Sequence, residues 1–401
     1  MDKATVRELK AADLSGLPVL LRADLNTPLE GQRVVDDTRI RQTLPTVRLL
    51  RDAGARIVAI SHMGRPGGRR EARYSLRPVI DRLRELLGGG VRFHDGLVGP
   101  RARSAAQQLG PGEVLALENT RFDPRETRND ASLASALAEL GEIFVNDAFG
   151  AAHRVHASTV GVAEQVRVRG GRAVAGILME KELDFLERIA GEPERPFVAI
   201  LGGAKISGKI DVIRSLLSRV DRLLVGGAMA NTFFCALGLD IGRSLAEPDR
   251  VEMARTCLEA AGERLLLPVD CVVAERLEAG ARERVVPRDA VRGGDRIGDI
   301  GPVSRSVFAA EIKAARTILW NGPMGVFERP PFHQGTVTVA KAVGDATETG
   351  TLTVVGGGDS VAASEVAGVT SKLSHVSTGG GASLEFLAGA ALPGIAALSE
   401  R

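Results

Sequence analysis

Short apolar, β-branched runs that end in a polar cluster and then give way to a segment of helical period recur along this chain, and no other feature restricts its fold so strongly. In the first half, residues 19–22 run into Ala23-Asp24-Leu25-Asn26, 57–60 into Ser61-His62-Met63-Gly64-Arg65-Pro66, 114–117 into Glu118-Asn119-Thr120-Arg121, and 143–145 into Asn146-Asp147. The second half restarts the pattern. Residues 197–201 meet Gly202-Gly203-Ala204-Lys205, 223–225 meet Gly226-Gly227-Ala228-Met229, 265–269 meet Asp270, 317–320 meet Asn321-Gly322-Pro323-Met324-Gly325, and 375–376 lead to Ser377-Thr378-Gly379-Gly380-Gly381. Strands alternating with helices imply βαβ units and an α/β fold with mainly parallel sheets, whose ligands lie beyond the carboxyl ends of the strands. The polar clusters fall on that edge. Helices are expected over 37–53, 76–87 and 126–140, and the Gly-, Pro- and Arg-rich loop 65–73 is expected to be mobile.

At 401 residues the chain exceeds one ordinary core, which points to two or three domains. Residues 173–190 carry apolar positions at helical spacing with no internal breaker and end at Gly191, with Pro193 and Pro196 beyond. A long helix at mid-chain closed by Gly and Pro suits a connector between domains. A net charge of +2 argues against a nucleic-acid-binding surface, which would need a basic excess. No apolar run approaches the length of a membrane span, and the start M-D-K-A-T-V-R-E-L-K has no apolar signal core, so a cytoplasmic location is expected. Cys235, Cys257 and Cys271 are odd in number and far apart, as expected of free thiols in a reducing compartment.

The most informative stretch is 351–363, T-L-T-V-V-G-G-G-D-S-V-A-A. It reads as a strand, a glycine turn and a helix start. Such a start presents free N–H groups and about half a positive charge, and glycines let an anion approach the bare backbone. Asp359 at that point implies a Mg²⁺ between carboxylate and bound phosphates. Gly203 to Lys209, G-A-K-I-S-G-K, has the spacing of a P-loop, but Ile210 stands where a Ser or Thr should meet the metal, so it is a near miss. Lys205 and Lys209 still form a phosphate clamp in a chain whose 52 basic residues include only eight lysines. No G-x-G-x-x-G follows a strand, which removes the main support for a dinucleotide oxidoreductase. The H-x-x-H of His153 and His156 has no Cys or acidic companions in sequence and reads as structural. Strand ends rich in Arg, His, Asp and Asn in the first half, against Gly and Lys in the second, suggest a small dianion held by guanidinium forks in one domain and a polyphosphate lying on backbone amides in the other.

The segments L-R-A-D-L-N-T-P (21–28), D-D-T-R-I (36–40), S-H-M-G-R-P (61–66), L-E-N-T-R-F (117–122), V-N-D-A-F-G-A-A-H-R-V-H-A-S (145–158), L-G-G-A-K-I-S-G-K-I (201–210), W-N-G-P-M-G-V-F-E (320–328), G-G-G-D-S (356–360) and S-T-G-G-G-A (377–382) resemble, in order, those of the phosphoglycerate kinase family. The resemblance implies a monomer of two Rossmann-like αβα domains. These would be 1–172 for the glycerate substrate and 191–379 for the nucleotide, joined by the hinge helix 173–190, with the tail from about 380 to 401 returning to the first domain. It implies reversible transfer of a phosphoryl group between 1,3-bisphosphoglycerate and ADP, giving 3-phosphoglycerate and ATP, with Mg²⁺ and hinge-bending closure. On the matched motifs, Asp24, Asn26, Arg39, His62, Arg65, Arg121 and Arg154 would hold the glycerate. Gly203, Lys205, Lys209, Gly227, Asn321, Pro323, Gly325, Glu328, Gly357, Gly358, Asp359 and Ser360 would hold the nucleotide, with Asp359 on the metal. Arg39, Lys205, Gly357 and Gly358 would serve the transfer itself, and Lys209, one helical turn beyond Lys205, would grip the nucleotide's phosphates. Ala23, Leu25 and Thr27, Gly208 in place of Asp, and Ser360 in place of Thr depart from the usual pattern, but none removes a charged group assigned to the chemistry.

Overall fold

A computed structural model describes residues 2–401. The chain forms two compact units, one made of the chain up to Asp184 together with Ala391–Arg401, the other of Phe185–Ala390. No helix among the described residues is long and apolar enough to cross a membrane.

In chain order the first unit contributes β1 (Pro18–Ala23), the small hairpin β2 (Leu29–Glu30) and β3 (Arg33–Val34), β4 (Arg56–Ile60), β5 (Val91–His94), β6 (Val114–Leu117), β7 (Ile143–Asp147) and β8 (Arg172–Ala175). Six of these make one sheet in the order β5-β6-β4-β1-β7-β8, with every pairing parallel. The central strands bury both faces, which is why they read as continuous apolar runs instead of alternating ones. In register, Leu20 sits between Val58 and Phe144. Helices Thr38–Asp52, Arg77–Leu86 and Ala131–Ala138 flank the sheet sequence. The third is shorter than expected. Glu126–Arg128 is a separate 3₁₀ turn, Asn129 takes a left-handed φ of 52°, and the Asp130 side chain caps the true helix by accepting from Ser132 and Leu133.

Residues 173–175 are a second correction. They belong to β8, where Ala173 and Val174 pair with Phe144 and Val145, and the connecting helix is Ile177–Ala190. The break between them is fixed by Asp147 at the end of β7, whose Oδ1 accepts from the N–H groups of Leu178 and Met179. A Cβ at Gly176 would lie 2.2 Å from that oxygen, so only glycine fits the turn. The last residues run against the first unit: Asn146 donates to the Gly394 carbonyl at 3.2 Å, and Ser399 N–H to the Ala173 carbonyl at 2.7 Å. The helix Gly381–Leu387, within the expected returning tail, instead belongs to the second unit, where the Leu387 carbonyl accepts from Ser215 Oγ.

The second unit adds β9 (Phe197–Leu201), β10 (Arg222–Val225), β11 (Leu265–Leu266), β12 (Asp270–Ala274), β13 (Arg284–Pro287), β14 (Arg296–Ile300), β15 (Thr317–Asn321), β16 (Leu352–Gly356) and β17 (His375–Ser377). A parallel sheet runs β11-β10-β9-β15-β16-β17. The stretch 265–269 is not one strand: Pro268 cannot donate to a ladder, and the chain leaves the parallel sheet after Leu266 to enter an antiparallel sheet, β13-β12-β14. Strand order reverses between β9 and β15, so the loops after these two strands part and leave a crevice.

Candidate functional site

At the carboxyl edge of the first sheet, β1 delivers Asp24 and Asn26, β4 delivers His62, and the loop after β6 delivers Arg121. The Asp24 carboxylate is buried and ion-paired with Arg39, which enters from the first turn of helix Thr38–Asp52. Asn26 accepts from the Gly64 N–H at 2.9 Å, while Arg121 donates to the Gly64 carbonyl at 2.6 Å, so the loop bearing Arg65 is held from two sides. Asn119 completes the frame by accepting from Met63 and Arg121 N–H and donating to Met63 O. Arg121 is buried, and its guanidinium is pushed down to about 10 by desolvation first and then by Arg22, Arg154 and Arg65. That repulsion shows that these cations crowd together. Desolvation, with Arg22, Arg121, Arg39 and His156, drives His62 well below the usual histidine range. Arg65 lies exposed at the rim, and half-buried Arg154 donates to His153 Nε2 at 3.1 Å. His156 packs 3.8 Å from Glu126 and is held near 4 by burial and by Arg121, Arg154 and Arg22.

Arg22 was not foreseen. It lies inside β1, fully buried, and a charge interrupting an apolar strand is itself the signal that a buried partner is required. That partner set is Ser158, Glu126 and His62.

In the second unit the crevice between β9 and β15 is lined by Gly203, Lys205, Lys209, Asn321, Pro323 and the Gly357–Ser360 turn. Strand β16 ends at Gly356, and the helix Gly358–Val366 starts immediately beyond Gly357, whose φ of 90° and position against the Asn321 amide exclude a side chain. Asp359 is exposed in the first helical turn. Two predicted contacts point elsewhere. Asn321 donates to Gly356 O at 2.8 Å and Ser360 Oγ accepts from Gly322 N–H at 2.5 Å, so both buried side chains brace the loops of the cradle.

The two lysines also differ from expectation. Residues 202–209 are loop, and Lys209 precedes the helix Ile210–Leu217 as its N-cap residue, so no helical turn separates it from Lys205. Lys205 is exposed, on a loop tethered by Ser207, which donates from both N–H and Oγ to Glu247. Lys209 is largely enclosed and donates to the carbonyls of Gly202 at 2.7 Å and Asn321 at 2.9 Å. Burial lowers its ammonium to about 8 against the opposing pull of Asp359. Ile210 is buried at the start of the helix. Ile210→Ser should therefore destabilise by roughly 1–3 kcal/mol, measured by denaturant unfolding, without tightening binding of MgATP. Tighter binding would mark the loop as a true P-loop.

Beyond Gly203 and Pro323 the crevice continues into an apolar slot of about 260 Å³ that also takes in Gly227, Gly325, Glu328 and Asp359. Phe234, Leu245, Leu277, Ile297 and Met324 supply its greasy walls. None of these was singled out in the sequence, because they come from a helix, two loops, the antiparallel strand β14 and the turn after β15. Asp299 at its base, with its carboxyl raised to about 7 by burial despite the N–H groups of Gly335 and Ile300 and the nearby Arg305, holds the start of helix Gln334–Glu348.

The model of one family, phosphoglycerate kinase, matches residues 9–390. The chain belongs to the phosphoglycerate kinase family. Phosphoglycerate kinases of Rubrobacter xylanophilus and Chloroflexus aggregans are 54% and 52% identical to it, each alignment covering all of this chain and 99% and 100% of the relative. Among solved structures, phosphoglycerate kinase from Coxiella burnetii superimposes with a TM-score of 0.86 at 39% identity, covering 98% of both chains. The enzyme from Pyrococcus horikoshii gives 0.84 at 32% identity over the same shares. Membership makes the chain a glycolytic, ATP-binding phosphotransferase, and phosphoglycerate kinases work on a magnesium-bound nucleotide.

Proposed function

We propose that this chain transfers a phosphoryl group reversibly between 1,3-bisphosphoglycerate and ADP, yielding 3-phosphoglycerate and MgATP, as a cytoplasmic monomer. The observation that carries this reading is a cationic substrate edge whose carboxylates are not free to act as a base: Asp24 is tied to Arg39, and Glu126 is enclosed behind the edge. A carboxylate acceptor is ionised at neutral pH and needs none, whereas a kinase acting on a hydroxyl would need one. Arg65, Arg121, Arg154 and His62 would hold the glycerate's phosphate, and Asp24, Asn26 and Arg39 its other end.

On the nucleotide side, the apolar slot suits the base, Glu328 the ribose and the Gly357–Gly358 turn the phosphates, where backbone N–H groups and the helix start meet negative charge. The Mg²⁺ travels with the nucleotide as part of the substrate. One exposed carboxylate, with no cluster of three or more metal-ligating side chains among the described residues, fits an ion that takes most of its shell from phosphate oxygens and water. Asp359 would supply that single protein ligand. Charge on the equatorial oxygens of the transferring group would be met by Arg39, Lys205 and the turn, and exclusion of water from the reacting groups would strengthen each of these contacts.

Purified protein with 3-phosphoglycerate and MgATP in a coupled assay should form ADP, and no turnover would defeat the reading. Asp359→Asn should weaken Mg-nucleotide binding ~10-fold or more while leaving metal-free nucleotide nearly unchanged. Calorimetry with and without Mg²⁺ tests this, and equal losses would remove Asp359 from the metal.

A further inference from the structure

We propose that Arg22, charge-balanced by Glu126 through Ser158, is a positioning residue that locks His62 as the neutral tautomer with its proton on Nε2. The inference rests on the reading of His62 as a glycerate contact. Arg22 donates from Nη2 to His62 Nδ1 at 2.9 Å and from Nε to Ser158 Oγ at 3.1 Å. A guanidinium has five donors and no acceptor, so Nδ1 must offer its lone pair. The proton of a neutral ring then sits on Nε2, and no protein group among the described residues accepts from it. An imidazolium could not accept from Arg22 at all.

The lock is rigid because it is dry. Arg22 is 1% exposed, Ser158 and Glu126 are fully buried, and His62 is 7% exposed. Ser158 donates from Oγ and from N–H to the two Glu126 carboxylate oxygens, at 2.5 and 3.0 Å, so the counter-charge reaches Arg22 through one hydroxyl. The third arm of Arg22 is spent on the Ala23 carbonyl. Around His62 stand Arg22 from β1, Arg39 from its helix, Arg121 from the loop after β6, and His156, while Glu126 and Asp24, just past β1, face Arg22. Four of these favour an uncharged ring, in the same direction as the hydrogen bond. The result is an uncharged donor among cations. It can grip a substrate oxygen without adding a charge whose desolvation the edge would have to offset, and it does not titrate near neutral pH.

Nitrogen-15 NMR of histidine-labelled, ligand-free protein reads this directly. The His62 signals should show Nδ1 unprotonated and Nε2 protonated throughout the neutral range. Arg22→Met should free the tautomer, so that a proton on Nδ1 becomes populated while burial and the remaining cations still keep the ring uncharged, and should raise the 3-phosphoglycerate KM about tenfold with a smaller change in kcat. Arg22→Lys should recover only part of the effect, since an ammonium cannot bridge Ser158 and His62 together. A proton on Nδ1, or an imidazolium near pH 6 in the unaltered protein, overturns the proposal whether or not Arg22→Met folds. Because the tautomer is measured without substrate, failure of 3-phosphoglycerate to bind would strike the glycerate reading and leave the lock intact.

Discussion

Arg39→Ala should lower the turnover number by on the order of 10³ or more, the largest loss expected of any single arginine at this edge. Arg65, Arg121 and Arg154 are assigned to a phosphate that keeps its charge throughout the reaction, so their contacts are as strong in the ground state as in the transition state and should appear mainly in KM. Arg39 is assigned to the group in flight. The buried Asp24 carboxylate pairs with it in the structure, and its side chain remains 34% exposed, so the guanidinium is oriented and still accessible. Deleting it also removes the direct ion-pair partner of the buried Asp24 carboxylate. Thermal unfolding of the variant must therefore accompany the kinetics, which should be taken well below its melting temperature. A nearly intact kcat with a raised glycerate KM would reassign Arg39 to binding alone.

How much of this could be read from sequence follows from what each feature depends on. The central strands of both parallel sheets were legible because they are buried on both faces and announce themselves as unbroken apolar runs followed by the polar residues of the carboxyl edge, whereas the partly exposed edge strand β5, Val-Arg-Phe-His, was not read. Every residue expected at the nucleotide crevice lies in it or in the adjoining slot, since glycines and lysines after strand ends have a local cause. The antiparallel sheet was not legible. β13 is largely exposed, its partners depend on long-range pairing, and Pro268 hides the point where the chain changes sheets. The limits of the connecting helix failed for a related reason: the alanines and valine at 173–175 suit helix locally, and only pairing with β7 makes them strand. The bracing roles of Asn321 and Ser360 depend on loops 35 and 38 residues away. No window of sequence could show that.

Lys205 and Lys209 separate two kinds of cation, and their alanine variants should fail differently. Lys205 is exposed on a loop anchored through Ser207, free to meet charge as it develops, so Lys205→Ala should lower kcat by on the order of 10²–10³ with a modest change in nucleotide KM. Lys209 is already occupied by the Gly202 and Asn321 carbonyls, which ties β9 to β15 across the crevice and fixes the floor on which the phosphates would lie. Lys209→Ala should therefore act chiefly on nucleotide KM, by about tenfold or more, and should also lower stability, because two carbonyls lose their donor. Its depressed pKa provides a further separation. With the folded value near 8 and the ordinary value near 10.4, the ammonium discharges as pH rises past about 8, and nucleotide KM should climb from there. Over the interval from about 8 to about 10.4 the unfolded chain holds more protons at this site than the folded one, so the contribution of Lys209 to stability rises with pH while binding weakens. Opposite trends that both vanish in Lys209→Met would identify this lysine as the group responsible. A KM flat through pH 9, or a kcat loss larger in Lys209→Ala than in Lys205→Ala, would reverse the assignment of the two residues.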